Sequence, residues 1–367
     1  MITLAYTIPN IYVFIRIWQL FISKGYKLHY TVIYLIIASI YPLSEQIGDG
    51  NLSFFSELLT TVSNYLLPFC LYLFLSVLIF DIFLLINLLV KVLPSEMRKS
   101  YRFRKYCLSV IFSVSALVVI GGALNFSTIR TTEYQIEIPK KSSAINHLRI
   151  AFVADFHLNE NTDINFVRRF TRKVEIIAPD LMLFGGDIVE GDSDDGNISA
   201  HERLLYQIGT KFGVYGVLGN HEYYGGEDDG NFFNKAGISI LRDTVIVIDN
   251  AFTLAGRLDS HFRYRKSVSD LLKAAVDSLP VILLDHRPTE LTEVSKTNAD
   301  VQFSGHTHDG QMFPINLITR KVYLLSRGYR KIGNTHFLVT SGIRQWRFPV
   351  RTTAKSEIMV IDIKFVK

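Results

Sequence analysis

Cysteine is nearly missing from this chain: Cys70 and Cys107 are the only two in 367 residues, and both lie inside apolar stretches. The polar remainder has none, which excludes a disulfide framework and a thiolate metal site there. The first apolar stretch has no basic residues before it and no small-residue cleavage site after it, so it is not the usual form of a cleaved signal peptide. Residues 44–64 lack Lys and Arg altogether while holding Glu45, Asp49 and Glu57. Charge is also scarce inside the apolar stretches, where only Arg16 and Asp81 occur. That scarcity argues against a transport pathway, which needs more intramembrane polar groups. No internal repeat and no low-complexity tract is present.

What is abundant is apolar sequence near the N-terminus. Hydrophobic residues make up 49% of the chain and its mean hydropathy is +0.22, a balance that points to membrane spans rather than a large core. Four stretches, residues 4–22, 28–43, 65–90 and 106–126, predict an α-helical four-span membrane region over residues 1–127. Lys24 and Lys27 follow the first stretch, and Lys91, Arg98, Lys99, Arg102, Arg104 and Lys105 follow the third. By the positive-inside rule both basic loops are cytoplasmic, so everything after Phe126 is expected outside a cytoplasmic (inner) membrane. Arg16 and Asp81 then lie at similar depths, about 10 and 15 Å at 1.5 Å per residue. A structural pair between them is expected, because an unpaired charge in lipid is costly.

Residues 128–146 read as a linker carrying one edge strand, from the alternation of Tyr134 to Ile138. In residues 147–367, short apolar runs at 148–154, 181–184, 214–218, 281–284 and 301–303 alternate with helical patterns at 163–177, 200–209, 268–278 and 289–295. Further strands are expected at 337–340 and 357–365. This is an α/β pattern with one core, in which ligands bind beyond the C-terminal ends of strands.

Five polar clusters stand at those ends: Asp155-Phe156-His157, Gly185-Gly186-Asp187, Gly219-Asn220-His221-Glu222, Asp285-His286 and Gly305-His306-Thr307-His308. On extended segments, Asp155 and His157 would point to one face, as would His306 and His308. Asp187 has two carboxylate oxygens with which to bridge two metals, Asn220 offers a neutral oxygen and His286 an imidazole. Mixed N and O donors without sulfur suit Mn²⁺, Fe or Zn²⁺. Two such cations clamp a phosphoryl group, deprotonate a bridging water and stabilise the in-line transition state. Taken singly, each cluster is ordinary surface or turn sequence; five in order at strand ends form a site.

These segments resemble the calcineurin-like metallophosphoesterase superfamily over about residues 147–365. Asp285-His286-Arg287-Pro288 and the run from Gly305 to Gln311, following apolar spans, look like its membrane-anchored bacterial branch. The resemblance implies a two-sheet β-sandwich flanked by helices. It implies that Asp155, His157, Asp187 and His308 hold one divalent metal, and that Asp187, Asn220, His286 and His306 hold the second. His221 is then the catalytic non-ligand histidine that protonates the leaving oxygen or stabilises the phosphate. Asp309 departs from the pattern, standing where a glycine is common. Asp285 is open to two uses, a hydrogen bond to a ligand or a solvated carboxylate.

Acidic loops at 190–195 and 222–229 disfavour long polyanions, so nucleic acid is not an expected partner; within them Glu190 or Glu222 could orient His221. Basic and aromatic residues mix at 261–266 and 344–351, where membrane contact or capture of a lipid-linked phosphate is the preferred use. The expected function is therefore hydrolysis of a phosphomonoester, phosphodiester or pyrophosphate bond in an envelope- or lipid-linked or small phosphorylated substrate, at a lipid membrane. A nuclease of the same superfamily and a non-catalytic membrane sensor or scaffold are the alternatives. The sequence names no protein partner.

Overall fold

The computed structural model describes residues 2–47, 54–139, 141–159, 162–190, 198–224, 231–345 and 347–366. Its chain divides into two compact units. The first comprises residues 1–124 with Arg347–Thr352, and the second residues 125–346 with 353–367.

Helices α1 (Ile2–Leu20), α2 (Lys27–Ile47), α3 (Phe54–Val90), α4 (Ser95–Lys99) and α5 (Tyr101–Ser127) carry the N-terminal sequence. Four of them fall near the expected spans, but among the described residues only α3 and α5 are long and apolar enough to cross a bilayer. The four-span expectation is corrected to that extent. Asn10, Arg16 and Gln19 break the apolar run of α1, and α2 begins with Lys27 and His29 and ends on Glu45 and Gln46. The expected Arg16–Asp81 pair is present and bidentate: Nε donates to Oδ2 at 2.6 Å and Nη2 to Oδ1 at 2.5 Å. The Tyr12 hydroxyl donates to the same carboxylate. Arg347 pairs with Glu45, and Arg351 is fully buried, so these two residues of the 344–351 segment serve packing rather than solvent or headgroups. Trp346 lies outside the described residues.

In the second unit two six-stranded sheets stack. The first contains β1 (Ile129–Pro139), β2 (His147–Val153), β3 (Leu181–Gly185), β4 (Val214–Val217), β5 (Ser239–Ile240) and β12 (Ser356–Val366), in the order β1-β12-β2-β3-β4-β5. The second contains β6 (Thr244–Ile248), β7 (Phe252–Gly256), β8 (Val281–Leu284), β9 (Val301–Ser304), β10 (Gly328–Ile332) and β11 (Thr335–Val339), in the order β10-β11-β9-β8-β7-β6. Both sheets are mixed. The edge strand expected at Tyr134–Ile138 exists as β1 and takes in most of the anticipated linker, because all eleven of its residues pair in parallel with β12.

Side-chain alternation explains the layering. Leu148, Ile150 and Phe152 of β2 point into the core between the sheets, against Leu254, Ile282 and Phe303. Ala151 and Val153 point the other way, under the helices α6 (Ile164–Ile177), α7 (Ile198–Leu205) and α9 (Asn231–Lys235). Helices α10 (Val268–Leu272) and α11 (Leu291–Val294) cover the outer face of the second sheet. Asp163 caps α6 by accepting from Asn165 N, and Ala178 ends it in a left-handed conformation. Two further helices, α8 (Asn220–Tyr224) and α12 (Ile315–Val322), attach to the loops beyond the strands. The result is a pair of sheets whose parallel strands β2, β3, β4, β8 and β9 each lead into one of the five polar clusters.

Candidate metal centre

Sheet one contributes Asp155 and His157 after β2, Asp187 after β3, and Asn220 and His221 after β4; sheet two contributes His286 after β8 and His306 and His308 after β9. Their side-chain donors gather in three overlapping groups: Asp155, His157 and His308; His157, Asp187 and His221; and Asp187, His286 and His306. Within each group the donor atoms lie within 4.8 Å of one another. Asp187 belongs to two of the groups, and its oxygens face different ways. Oδ1 accepts from His221 N at 2.8 Å, while Oδ2 lies 3.1 Å from His286 Nε2.

The loops are not extended, contrary to the premise on which the two-apart residues were expected to share a face. Asp155, His157, Asp187, His306 and His308 all have positive φ, between 48° and 71°. Such left-handed backbone costs about 1–3 kcal/mol per residue and is held only when surroundings over-determine it. Here the 155–158 loop hydrogen-bonds to the 186–189 loop through Asp155 N to Gly186 O, Phe156 N and His157 N to Asp187 O, and Leu158 N to Ile188 O. Two glycines leave room for the arrangement. A Cβ on Gly219 would sit 2.2 Å from Asp187 Oδ1, and Gly186, at φ +91°, would place one 2.6 Å from His286 Nδ1.

The donor set fits divalent cations on the structure's own terms. His286 Nδ1 lies 2.7 Å from Gly185 O, so that nitrogen carries the proton and Nε2 presents its lone pair to the Asp187 carboxylate. His157 Nδ1 lies 2.8 Å from Glu190 Oε1, turning its Nε2 lone pair to His308 Nε2 at 3.3 Å. Asn220 Oδ1 is buried without a hydrogen-bond partner. Acceptors facing acceptors in a dry site call for positive charge between them. Without a metal, protons supply part of it. Burial opposes charge on His286, but Asp187 and Asp155 outweigh it and raise its pKa to about 10. His306 goes the other way, down to about 3, through burial and the nearby His286 and Arg287 charges. Burial raises Asp155 to about 6, whereas Asp187 is held well below the usual carboxylate range because His286 overcomes its burial.

Two acidic residues separate by role. Glu190 lies against His157 and 3.5 Å from His221 Nδ1. Glu222 turns away from His221. It accepts from the main-chain N–H groups of Asp187, Ile188, Val189 and Gly219 at 3.1, 2.5, 3.1 and 2.7 Å, joining the turns after β3 and β4. The rest of the two acidic loops, residues 191–195 and 225–229, lies outside the described residues. Asp285 takes neither of its expected uses: it is buried and paired with Arg257 at 3.1 Å and Arg265 at 2.5 Å. Asp309 is likewise buried, at φ 46°, and receives Arg320 at 3.1 and 2.9 Å. One set of residues escaped the sequence argument. Arg287 donates to the buried Asp259 at 2.7 Å, beside His261, and its charge reaches His306. Asp259 stands just past β7, the same strand-end position as the candidate metal donors, and that position was the available signal.

Residues 148–310 match the family model "Calcineurin-like phosphoesterase". An uncharacterized metallophosphoesterase of Aquifex aeolicus is 30% identical over 257 residues, covering 67% of this chain and 97% of the relative. One of Helicobacter pylori is 31% identical over 59% of this chain, which spans 60% of that relative's length. A transmembrane protein with metallophosphoesterase domain from Danio rerio is 27% identical over 71% of this chain and 63% of its own. With the strand-end site and the two mixed sheets, these likenesses make the chain a member of the calcineurin-like metallophosphoesterase family.

Proposed function

We propose that this protein is a membrane-anchored, binuclear metal-dependent phosphoesterase. The observation that carries the proposal is the set of three overlapping donor groups, two of which share Asp187 and two His157, with donors converging from both sheets. Asp155, His157, Asp187 and His308 would hold one divalent ion, and Asp187, Asn220, His286 and His306 the other. When bound, such ions polarise a phosphoryl oxygen and lower the pKa of water. The chain's own residues do the rest. His221, with Nδ1 toward Glu190, delivers a proton from its other ring nitrogen to the leaving oxygen. Arg287, held by Asp259, supplies fixed positive charge for the phosphate at one side of the site.

The apolar helices α3 and α5 support anchoring, and so does the description of the Danio rerio relative. Orientation needs only the basic loop at 91–105 and α5. With the loop in the cytoplasm, the chain leaves α5 on the outer side of the cytoplasmic membrane. A phosphomonoester, phosphodiester or pyrophosphate at or near that surface is the substrate class this placement favours.

The test uses the full chain purified in detergent, stripped with a chelator and restored with Mn²⁺, on an aryl phosphodiester and an aryl phosphomonoester. Turnover should appear only with metal. Asp187→Asn should lose both metal and turnover, while His221→Ala should keep metal and lose about 10²–10⁴-fold in rate. Unchanged turnover in either variant would sink the assignment.

A further inference from the structure

Fourteen large apolar side chains are exposed among the described residues of the second unit, and six of them fall in one short stretch: Phe313, Ile315, Leu317, Ile318, Val322 and Leu324. Single exposed apolar residues are ordinary on protein surfaces, whereas a contiguous cluster marks an interaction site. Four of the six lie on α12. Ile315, Ile318 and Val322, at i, i+3 and i+7, form a stripe along the helix, with Ile318 64% and Val322 70% exposed. Asn316 is buried on the side that faces the fold. The helix is fastened to the metal centre, since Arg320 on its last turn pairs with Asp309, the neighbour of His308.

Charge decides what this stripe fits. From Gly310 to Ile332 the chain carries Arg320, Lys321, Arg327, Arg330 and Lys331 and no Asp or Glu. Lys321, Arg330 and Lys331 are exposed. Arg320 and Arg327 face Asp309, which leaves Lys321, Arg330 and Lys331 as the exposed positive charge beside the aliphatic stripe, a combination that complements a bilayer with anionic headgroups. We propose that α12 is an interfacial docking element that lies in the headgroup layer of an anionic leaflet with Ile315, Ile318 and Val322 downward. Eight residues give only weak, reversible attachment, so docking depends on α5 holding the chain at the membrane and raising the effective concentration of the surface. It does not depend on turnover at the metal centre. Docking would bring the loop that carries His306 and His308 to the plane of headgroup phosphates.

The experiment uses the full chain with Cys70→Ser and Cys107→Ser, reconstituted in vesicles of phosphatidylcholine and phosphatidylglycerol. An environment-sensitive fluorophore is placed in turn at Ile318→Cys, at the exposed positions Ile176→Cys and Tyr206→Cys, and at Leu117→Cys inside α5. Nitroxide-bearing lipid should quench the labels at 318 and 117 and spare those at 176 and 206. Neutralising Lys321, Arg330 and Lys331 with Gln should lower the docked-to-free ratio about five-fold per charge, leaving the label at 117 quenched. A label at 318 that stays open to aqueous iodide overturns the proposal. So does one shielded from both iodide and lipid nitroxide, which would mean that another protein surface or a second copy covers the helix. Loss of quenching at 117 as well would remove the membrane placement itself, separately from the phosphoesterase assignment.

Discussion

Replacing Glu222 by Gln probes how the two central turns are held. The carboxylate accepts four main-chain N–H groups and the residue is only 6% exposed. A Gln keeps one carbonyl oxygen, enough for two of the four, and turns its NH₂ toward the others, donor against donor. Each buried N–H left without an acceptor costs about 1–3 kcal/mol, so the pair costs about 2–6. In a domain of this size each kcal/mol moves the unfolding midpoint by roughly 2–4 °C, which gives a fall of about 4–24 °C. One donor is Asp187 itself, so metal affinity should fall as well, by about 10–100-fold. The assays are thermal unfolding of the full chain and metal titration by calorimetry. Both belong above pH 7, because burial and Asp187 push Glu222 up to about 7. A Gln variant that unfolds within about 1 °C of the parent and binds metal equally would refute the reasoning.

Glu190→Gln removes the charge beside His157 Nδ1 and His221 Nδ1 while preserving shape; hydrolysis should fall about 10–100-fold in a steady-state assay. His201 tests pH dependence away from the metal. Burial depresses its pKa below the ordinary imidazole value, and Nδ1 is buried without a partner. The unfolded chain therefore takes up a proton first as pH falls. Stability should be full above the unfolded value of about 6.5 and should decline as pH drops toward the folded value. His201→Gln should flatten that decline in unfolding curves recorded across the range. In the helical unit, Asp81→Asn strands Arg16 and should destabilise by about 3–5 kcal/mol, whereas joint replacement of both by Leu should be tolerated far better, as read by thermal stability in detergent.

The sequence was most legible where chemistry is written in short motifs. Strand ends carry the candidate metal donors, so Asp155, His157, Asp187, His286, His306 and His308 could be named from runs of a few residues, and the structure gathers them. The Arg16–Asp81 pair was legible because two isolated charges of opposite sign in otherwise apolar helices are costly unless they meet. What was not legible depends on distant partners. Strands β6 and β7 meet at Asp249-Asn250, both with positive φ, a hairpin signal that the weak alternation around it obscured. Asp285 looks like a helper of His286 in sequence, yet its fate was decided by Arg257 and Arg265, 28 and 20 positions away. Hydropathy over α1 and α2 suggested two spans beyond the two helices that meet the length and composition of a span, because it registers apolar runs and discounts the polar residues that interrupt or bound them.

The pairing of β1 with β12 has a consequence for how the chain is made. Ile129 lies beside Ser356, so the first strand after α5 waits for a partner synthesised more than half a chain later. Strand β12 also separates β1 from β2, so no earlier strand can take its place at that seam. During synthesis from the N-terminus, the first sheet would lack the strand next to its edge, leaving β1 unpaired and β2 an open edge. Closure of that seam should be a late event that follows synthesis of every other strand. A fold closed by its last strand in this way should respond sharply to loss of residues within β12.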